Sequence, residues 1–144
     1  MNWKHEAVEK LQKLSAMRQA THSIPLEIQR LEMEAEGIRG LAMEDIKVAG
    51  TGKREDALLS NLMHRQELQN AYHQADSWVT TVEGALEVLS PEERLVLERL
   101  YIYPRKRGVE ELCDQLQMEK SSVYRKRDRA LRIFTMAIYG AEGG

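Results

Sequence analysis

With 144 residues and a formal net charge of −2, the chain has room for one core, or for one small domain with a helical arm, which excludes a large multidomain enzyme. Its single cysteine excludes an intrachain disulfide and a zinc site of several thiolates, and it suggests a reducing cytosol. Because prolines are few and no run of about 18 apolar residues occurs, the sequence predicts an all-α protein with no membrane span.

Positive charge is concentrated in one part of the chain. Residues 104–132 hold nine Lys or Arg against five Asp or Glu, a net charge of +4. The remainder holds twelve basic and eighteen acidic residues, a net charge of −6. A basic segment within an acidic chain indicates a local nucleic-acid-binding surface rather than indiscriminate attraction to DNA.

Residues 1–88 are predicted to form an elongated antiparallel helical hairpin, a coiled-coil-like arm. Apolar residues recur there at steps of three and four, the spacing that places them along one face of a helix. We expect the first helix to end near residues 20–22, and a second to begin with Ser23 as N-cap and Pro25 in its first turn. The apolar positions of these two helices are Trp3, Ala7, Leu11, Leu14, Ile24, Ile28, Leu31, Ala35, Ile38 and Ala42.

A loop and one long helix complete the predicted arm. Gly50 and Gly52 favour a chain reversal, so we place the loop near residues 43–54. The apolar spacing resumes from there to residue 89, and a continuous helix of that length would measure about 50 Å. Such a helix needs the first part of the arm as a packing partner, and its surplus apolar surface leads to the hypothesis of a homodimer. Its apolar positions are Leu68, Ala71, Tyr72, Ala75, Trp78, Val79, Val82, Ala85, Leu86 and Leu89.

The next helix has a clear start and end in the sequence. Ser90 is a predicted N-cap, Pro91 stands at the first helical position, and Glu93 completes a capping box. Pro104 ends the helix because proline lacks a backbone donor. The residues predicted to face a core are Leu95, Val96, Leu100 and Tyr103, and the basic connector after Pro104 consists of Arg105, Lys106, Arg107 and Gly108.

Two further helices follow at the spacing of a helix-turn-helix motif. Residues 117–119 separate a helix over 109–116 from one that starts near Lys120. Both helices belong to a predicted domain of residues 89–140. A flexible tail is predicted at residues 141–144. The predicted inner faces consist of Val109, Leu112, Cys113, Leu116, Val123, Ala130, Leu131, Phe134 and Ile138. The opposite side of the second helix carries Lys120, Ser121, Tyr124, Arg125 and Asp128.

The segments LSPEERLVLERLY and GVEELCDQLQMEKSSVYRKRDRALRIF resemble region 4 of bacterial sigma factors, over about residues 89–135. Glu110, Glu111, Val123 and the run Ala-Leu-Arg at 130–132 fall where that family has its equivalents. With the helical arm in front, the whole chain is similar to phage-encoded transcriptional regulators of the ArpU-like late-gene activator type. The resemblance implies a sigma region 4-like helix-turn-helix domain, double-stranded DNA and RNA polymerase as partners, and a location in the cytoplasm of a bacterial host cell.

Three residues depart from the sigma-like pattern. Gln117 stands where such modules often place glycine for a left-handed backbone, which implies some strain or a wider turn. Glu119 stands where a threonine or serine cap is common, and its carboxylate would repel a nearby phosphate. Ser121 replaces an acidic residue that many sigma factors use to read a base. The preferred DNA sequence therefore does not follow from the resemblance.

The functional roles follow from how a recognition helix works. Its N-terminal turns enter the major groove, where polar side chains reach base edges and basic side chains hold phosphates. Arg125 is placed for a bidentate contact to guanine. The full set of predicted base contacts is Lys120, Ser121, Tyr124 and Arg125. The predicted phosphate contacts are Arg105, Lys106, Arg107 and Ser122.

Two functions are compatible with these residues. The favoured one is a sequence-specific DNA-binding transcriptional regulator that reads promoter DNA with the helix starting near Lys120. The alternative is a non-enzymatic helical interaction protein, such as a phage assembly or packaging adaptor, which acts through its N-terminal arm. In that case the basic run RKRDR at residues 125–129 is only a solvated face. The four histidines lack metal-binding spacing and Cys113 has no histidine near it in the motif, so we expect no metal, no cofactor and no catalytic residue.

Overall fold

The computed structural model describes residues 2–40 and 51–143, and within these residues the chain is all helical and has no strand. In chain order the helices are α1 (Trp3–Arg39), α2 (Thr51–Glu87), α3 (Pro91–Leu97), a π-helical segment (Glu98–Ile102), α4 (Gly108–Leu116) and α5 (Lys120–Gly143). None of the helices in these two ranges is apolar over a length that would cross a membrane.

The described residues divide into two compact units. Those up to Arg18 and those from Ser77 onwards form one, called the main unit below, and those between Gln19 and Asp76 form the second unit. The sequence-based division placed a boundary at residue 88 instead. The main unit therefore contains the first turns of α1 and the last turns of α2 together with all the later helices.

The predicted break between two N-terminal helices is wrong, because α1 is continuous and has Pro25 inside it. The Ser23 hydroxyl donates to the Gln19 carbonyl at 3.0 Å, as a serine within a helix does, and so does not cap a new one. An interior proline costs about 3 kcal/mol. Burial on both sides of it, at Leu14 and at Leu31, offsets that cost.

The long second helix is continuous from Thr51 to Glu87, a point that the apolar spacing left open, and it begins at Thr51 rather than near residue 54. The last four residues of the predicted loop are therefore helical, and its other residues lie outside the described ones. Most of the predicted apolar face of this helix is buried or half-buried. Ala71 is an exception, because it is exposed.

Within the second unit, polar contacts join the two helical segments. Asn61 is buried, and its Nδ2 donates to the Leu31 carbonyl at 2.8 Å. The Arg65 Nε donates to Asn61 Oδ1 at 2.8 Å. Arg54 Nη2 donates to the Arg39 carbonyl at 3.0 Å. Because residues later in α1 pair with residues earlier in α2, the two segments run in opposite directions.

The core of the main unit combines residues from α1, α2, α3, the π-helical segment and α5. Leu11, Leu86 and Phe134 are fully buried in it, and burial of each such side chain contributes about 1.5 to 3 kcal/mol. A smaller cluster of Val96, Leu112 and Val123 holds α4 against α3 and α5. The two clusters together fix α5 along its buried side.

The π-helical segment lies just before the connector, and its wider turn changes which of its residues face the core. Leu97 and Ile102, five residues apart, are both buried, as the wider turn of a π-helix requires. The prediction that Tyr103 faces the core is therefore wrong. Tyr103 is exposed, and its hydroxyl accepts a hydrogen bond from Arg18 Nη1 at 3.0 Å. Pro104 follows the end of this helical stretch, as predicted.

Candidate nucleic-acid interface

The predicted capping box that starts α3 is confirmed. Ser90 has extended backbone angles, and its Oγ accepts from the Glu93 N–H at 3.2 Å. Glu93 Oε1 accepts in return from the Ser90 N–H at 3.0 Å. This fixes the first turn of α3, which packs on α5. The opposite end of the same helical stretch leads into the basic connector.

The three-residue turn between α4 and α5 has the predicted length and strain. Leu116 ends α4 and Lys120 begins α5. Gln117 between them has φ 56° and ψ 51°, the left-handed conformation that usually favours glycine. Its backbone N–H donates to the Cys113 carbonyl, and its Nε2 donates to the Asp114 carbonyl at 2.7 Å. These bonds satisfy the end of α4 and hold the turn.

The two sides of α5 differ as the sequence predicted. Val123 is fully buried on the inner side, and the other buried residues of that side are Ala130, Leu131, Phe134 and Ile138. Lys120, Ser121 and Arg125 are exposed, and Tyr124 is half-buried. The N-terminal turns of α5 thus present three of the four predicted base-contacting side chains to solvent.

Asp128 does not point freely outward, which corrects one sequence expectation. Its side chain is 30% exposed, and its Oδ1 pairs with Arg127 at 2.9 Å and with Lys4 at 3.6 Å. Partial burial raises the pKa of Asp128, but the hydrogen bonds and charges of Arg127 and Lys4 outweigh this and hold that pKa below its ordinary value. Asp128 is therefore a charged partner within the main unit.

A shallow basic depression brings together predicted phosphate-contacting and base-contacting residues. Arg105 and Lys106 from the connector line it together with Lys120 and Tyr124 from α5. The remaining lining residues are Arg99, Leu100, Gly108, Val109 and Glu110. Gly108 is buried there because its backbone lies against the Arg99 carbonyl, where a Cβ would come within 3.3 Å of the oxygen. The connector is thereby held beside the start of α5.

The other predicted contacts lie outside the lining of that depression. Arg107 is exposed just before α4, and Ser121 and Arg125 are exposed on α5. Ser122 is half-buried, and its hydroxyl accepts a hydrogen bond from Arg125 Nη2 at 3.2 Å. Arg125 is therefore oriented by a residue of the same helix without being covered.

Carboxylates neutralise part of the basic surface. Glu111 Oε2 accepts from Arg99 at 2.7 Å and from Arg105 at 3.2 Å. The Arg105 side chain is still 59% exposed. Such partly exposed pairs contribute about 0 to 1 kcal/mol, so a phosphate can compete for Arg105. Glu111 thus orients Arg105 at the rim of the depression.

Three cations of the basic run are paired within the protein, and others are not. Lys126 pairs with Glu92 at 3.1 Å, Arg127 with Asp128 at 2.9 Å, and Arg129 with Glu93 at 3.5 Å. Among the side chains that the structure describes, the following cations of this region have no carboxylate oxygen within 4.0 Å: Lys106, Arg107, Lys120, Arg125 and Arg132. The unpaired cations flank the depression and continue along α5.

Sequence reasoning missed Arg132 as a surface cation of α5. It is exposed two turns after Arg125, so the two guanidinium groups lie on the same side of the helix. Arg129, between them, is also strongly exposed despite its pair with Glu93. The seven-residue spacing from Arg125 to Arg132 was the signal that would have indicated this longer basic stripe.

No family model, curated protein or solved structure matches this chain. In the part of the chain that the structure describes, no three His, Cys, Asp or Glu side chains come together in a way that would hold a metal ion.

Proposed function

We propose that the chain is a sequence-specific DNA-binding transcriptional regulator, encoded by a phage or prophage, that reads promoter DNA with α5 in the major groove. In this proposal α4 and α5 form a sigma region 4-like helix-turn-helix, and α1 and α2 form an elongated helical hairpin. The observation that supports it best is the two-sided character of α5. Val123 anchors the inner side while Lys120, Ser121 and Arg125 stand exposed in the first two turns.

The charges around α5 support the division of roles. Lys120 and Arg125 keep their cationic groups free of carboxylates among the described residues, so both can reach base edges or phosphates. Lys106 and Arg107 also have no carboxylate partner among the described residues, and both lie in the connector. Phosphate contacts there would set the position of α5 without reading sequence. RNA polymerase is a further proposed partner, suggested by the sigma factor resemblance.

Selection of bound duplexes from a random DNA pool, at two salt concentrations, tests the proposal. We expect one recovered motif that persists at the higher salt, because base-edge contacts depend less on counterion release than phosphate contacts do. A shallow preference that disappears at the higher salt would mean that α5 attracts DNA only by charge. That result would overturn the proposal.

One observation favours the alternative, a helical interaction protein or phage adaptor that acts through the second unit. Among its described residues, this unit exposes five large apolar side chains, namely Leu26, Met33, Leu59, Leu62 and Met63. Residues 19–76 also carry ten acidic and six basic residues, a net charge of −4, which does not suit DNA. A protein partner or a second copy of the chain would cover such a surface.

Light scattering over a range of protein concentrations tests whether a second copy covers these residues. If a second copy covers them, the chain forms a homodimer, and Leu59→Glu weakens that homodimer. Ser60→Glu, at a neighbouring exposed position, is the control for the effect of the added charge alone. A strict monomer at the highest concentration would refute the homodimer. The partner of this surface would then have to be a different protein.

A further inference from the structure

A second group of charged residues lies against α5 beside the candidate interface. Arg127 Nε and Nη2 both donate to Asp128 Oδ1, at 3.0 and 2.9 Å. Lys4 Nζ, from the first turn of α1, lies 3.6 Å from the same oxygen. The Arg127 guanidinium also lies over the ring of Tyr124, 4.8 Å from the ring centroid. These contacts connect the start of α1 to one of the predicted base-contacting residues.

Arg127 is engaged on two sides and is poorly placed to bind DNA itself. Its side chain is 29% exposed, and two of its nitrogens are committed to Asp128. A planar guanidinium that is paired with a carboxylate along its edge and stacked on a ring by its face is held in one orientation. Tyr101 is also half-buried near it: burial raises the pKa of Tyr101, while the charge of Arg127 opposes that rise.

Tyr124 stands between this charged group and the basic depression. It lines the depression together with Arg105, Lys106 and Lys120, while Arg127 lies over its ring. Asp128 and Arg127 line a separate shallow depression with Lys4. Tyr124 therefore contacts Arg127 through its ring and also lines the depression that contains the predicted phosphate contacts Arg105 and Lys106.

We propose that Arg127, Asp128 and Lys4 are positioning residues that hold Tyr124 in place for reading a base, and that they do not themselves touch DNA. This inference rests on the proposed DNA-binding function. Arg127 orients the ring directly, Asp128 fixes Arg127, and Lys4 ties Asp128 to α1. The arrangement makes the first turn of α1 part of the machinery that sets sequence preference.

Base preference and salt dependence together separate positioning from phosphate binding. The wild-type chain is first used to select its DNA motif, and each variant is then tested on that motif and on all its single-base changes. We expect Arg127→Gln to weaken binding to the motif by about threefold to tenfold and to relax preference at the same base pair as Tyr124→Ala. The double variant binds no more weakly than Tyr124→Ala alone, because both changes remove one unit of recognition.

The salt dependence should stay unchanged in Arg127→Gln. Loss of a phosphate contact lowers the slope of log K against log salt by about 0.9, whereas loss of a positioning residue does not. Lys126→Gln is the matched control, because it removes a neighbouring cation that is paired with Glu92 at 3.1 Å. Arg127→Lys keeps the charge but not the planar stacking, and it is expected to relax the same base preference.

Each contrary outcome is distinct. A reduced salt slope with unaltered base preference would make Arg127 a phosphate ligand and overturn the inference. Unchanged binding and preference in both Arg127→Gln and Arg127→Lys would overturn it as well. If the wild-type chain selects no motif, the proposed function itself fails and the inference fails with it. Circular dichroism melting of every variant identifies any loss of binding that comes from unfolding.

Discussion

At the residue scale, Glu93 shows how one side chain links a helix start to stability. It accepts the Ser90 N–H, and this hydrogen bond holds the pKa of Glu93 below its ordinary value, although burial raises it. The nearby charges of Arg129 and Lys126 act in the same direction as the hydrogen bond. The charged form of Glu93 is therefore the form that the folded protein favours.

The lowered pKa of Glu93 predicts a specific dependence of stability on pH. Because the pKa is lower in the folded than in the unfolded chain, the stabilisation is present above the unfolded pKa and is lost as pH falls through the folded pKa. We expect Glu93→Gln to cost about 0.3 to 1 kcal/mol near neutral pH, because glutamine keeps the capping-box acceptor but loses the charge in the first turn of α3, and to flatten the acid side of the curve of unfolding free energy against pH. Urea denaturation at a series of pH values measures this.

Glu87→Gln is the matched control for that experiment, because it also removes one carboxylate. Glu87 is exposed and is the last residue of α2. It should leave the curve close to that of the wild-type chain. If the unfolding free energy of Glu93→Gln falls in acid as much as that of the wild-type chain, other carboxylates cause the decrease.

Gln117 carries a second prediction at this scale. An L-residue in the left-handed region costs about 1 to 2 kcal/mol, which glycine avoids. Gln117→Gly should therefore raise the unfolding free energy by about 0.5 to 1 kcal/mol, after the loss of the exposed hydrogen bond to Asp114. Gln117→Ala keeps the strain but loses that bond, so it should destabilise. Chemical denaturation of both variants tests the account, and a Gly variant less stable than the Ala variant would contradict it.

At the scale of elements, local signals predicted helix starts and stops better than helix continuity. The cap at Ser90, the stop before Pro104 and the turn at 117–119 depend on residues close together in sequence, and each is present. The helix through Pro25 and the π-helical segment depend on packing with distant parts of the chain. Sequence spacing does not contain that information, so both were missed.

The same limit applies to the candidate interface. Exposure of Lys120 and Arg125 followed from the apolar spacing of α5, because helical periodicity determines which side is buried. The pairing of Asp128 with Lys4 joins residues more than one hundred positions apart, and no local pattern predicted it. The contacts of Arg127 with Tyr124 and Asp128 required coordinates for the same reason.

The connector between the π-helical segment and α4 should determine how binding to DNA responds to salt. We expect Lys106→Ala and Arg107→Ala each to reduce the slope of log K against log salt by about 0.9 and to leave the recovered motif unchanged. Arg94→Ala is a suitable control, because Arg94 pairs with Glu98 within one helical stretch, away from the connector. Fluorescence anisotropy titrations at several salt concentrations measure the slope. A changed motif in either connector variant would show that it reads bases.

At the scale of the whole molecule, charge is divided unevenly. Residues 104–132 have a net charge of +4 and the rest of the chain −6. A protein that is acidic overall gains little from non-specific attraction to DNA, so the proposed function requires specific contacts at the basic surface. The exposed turns of α5 are the part of that surface with side chains suited to base edges.

The most direct measurement is the affinity of the wild-type chain and of Arg125→Ala for the selected duplex and for a scrambled duplex at the same salt concentration. The account predicts that Arg125→Ala loses about 1 to 3 kcal/mol of binding to the selected duplex and changes binding to the scrambled duplex much less. Arg94→Ala should bind both duplexes as the wild-type chain does. Equal losses on the two duplexes, or no loss on either, would contradict the claim that α5 reads DNA sequence.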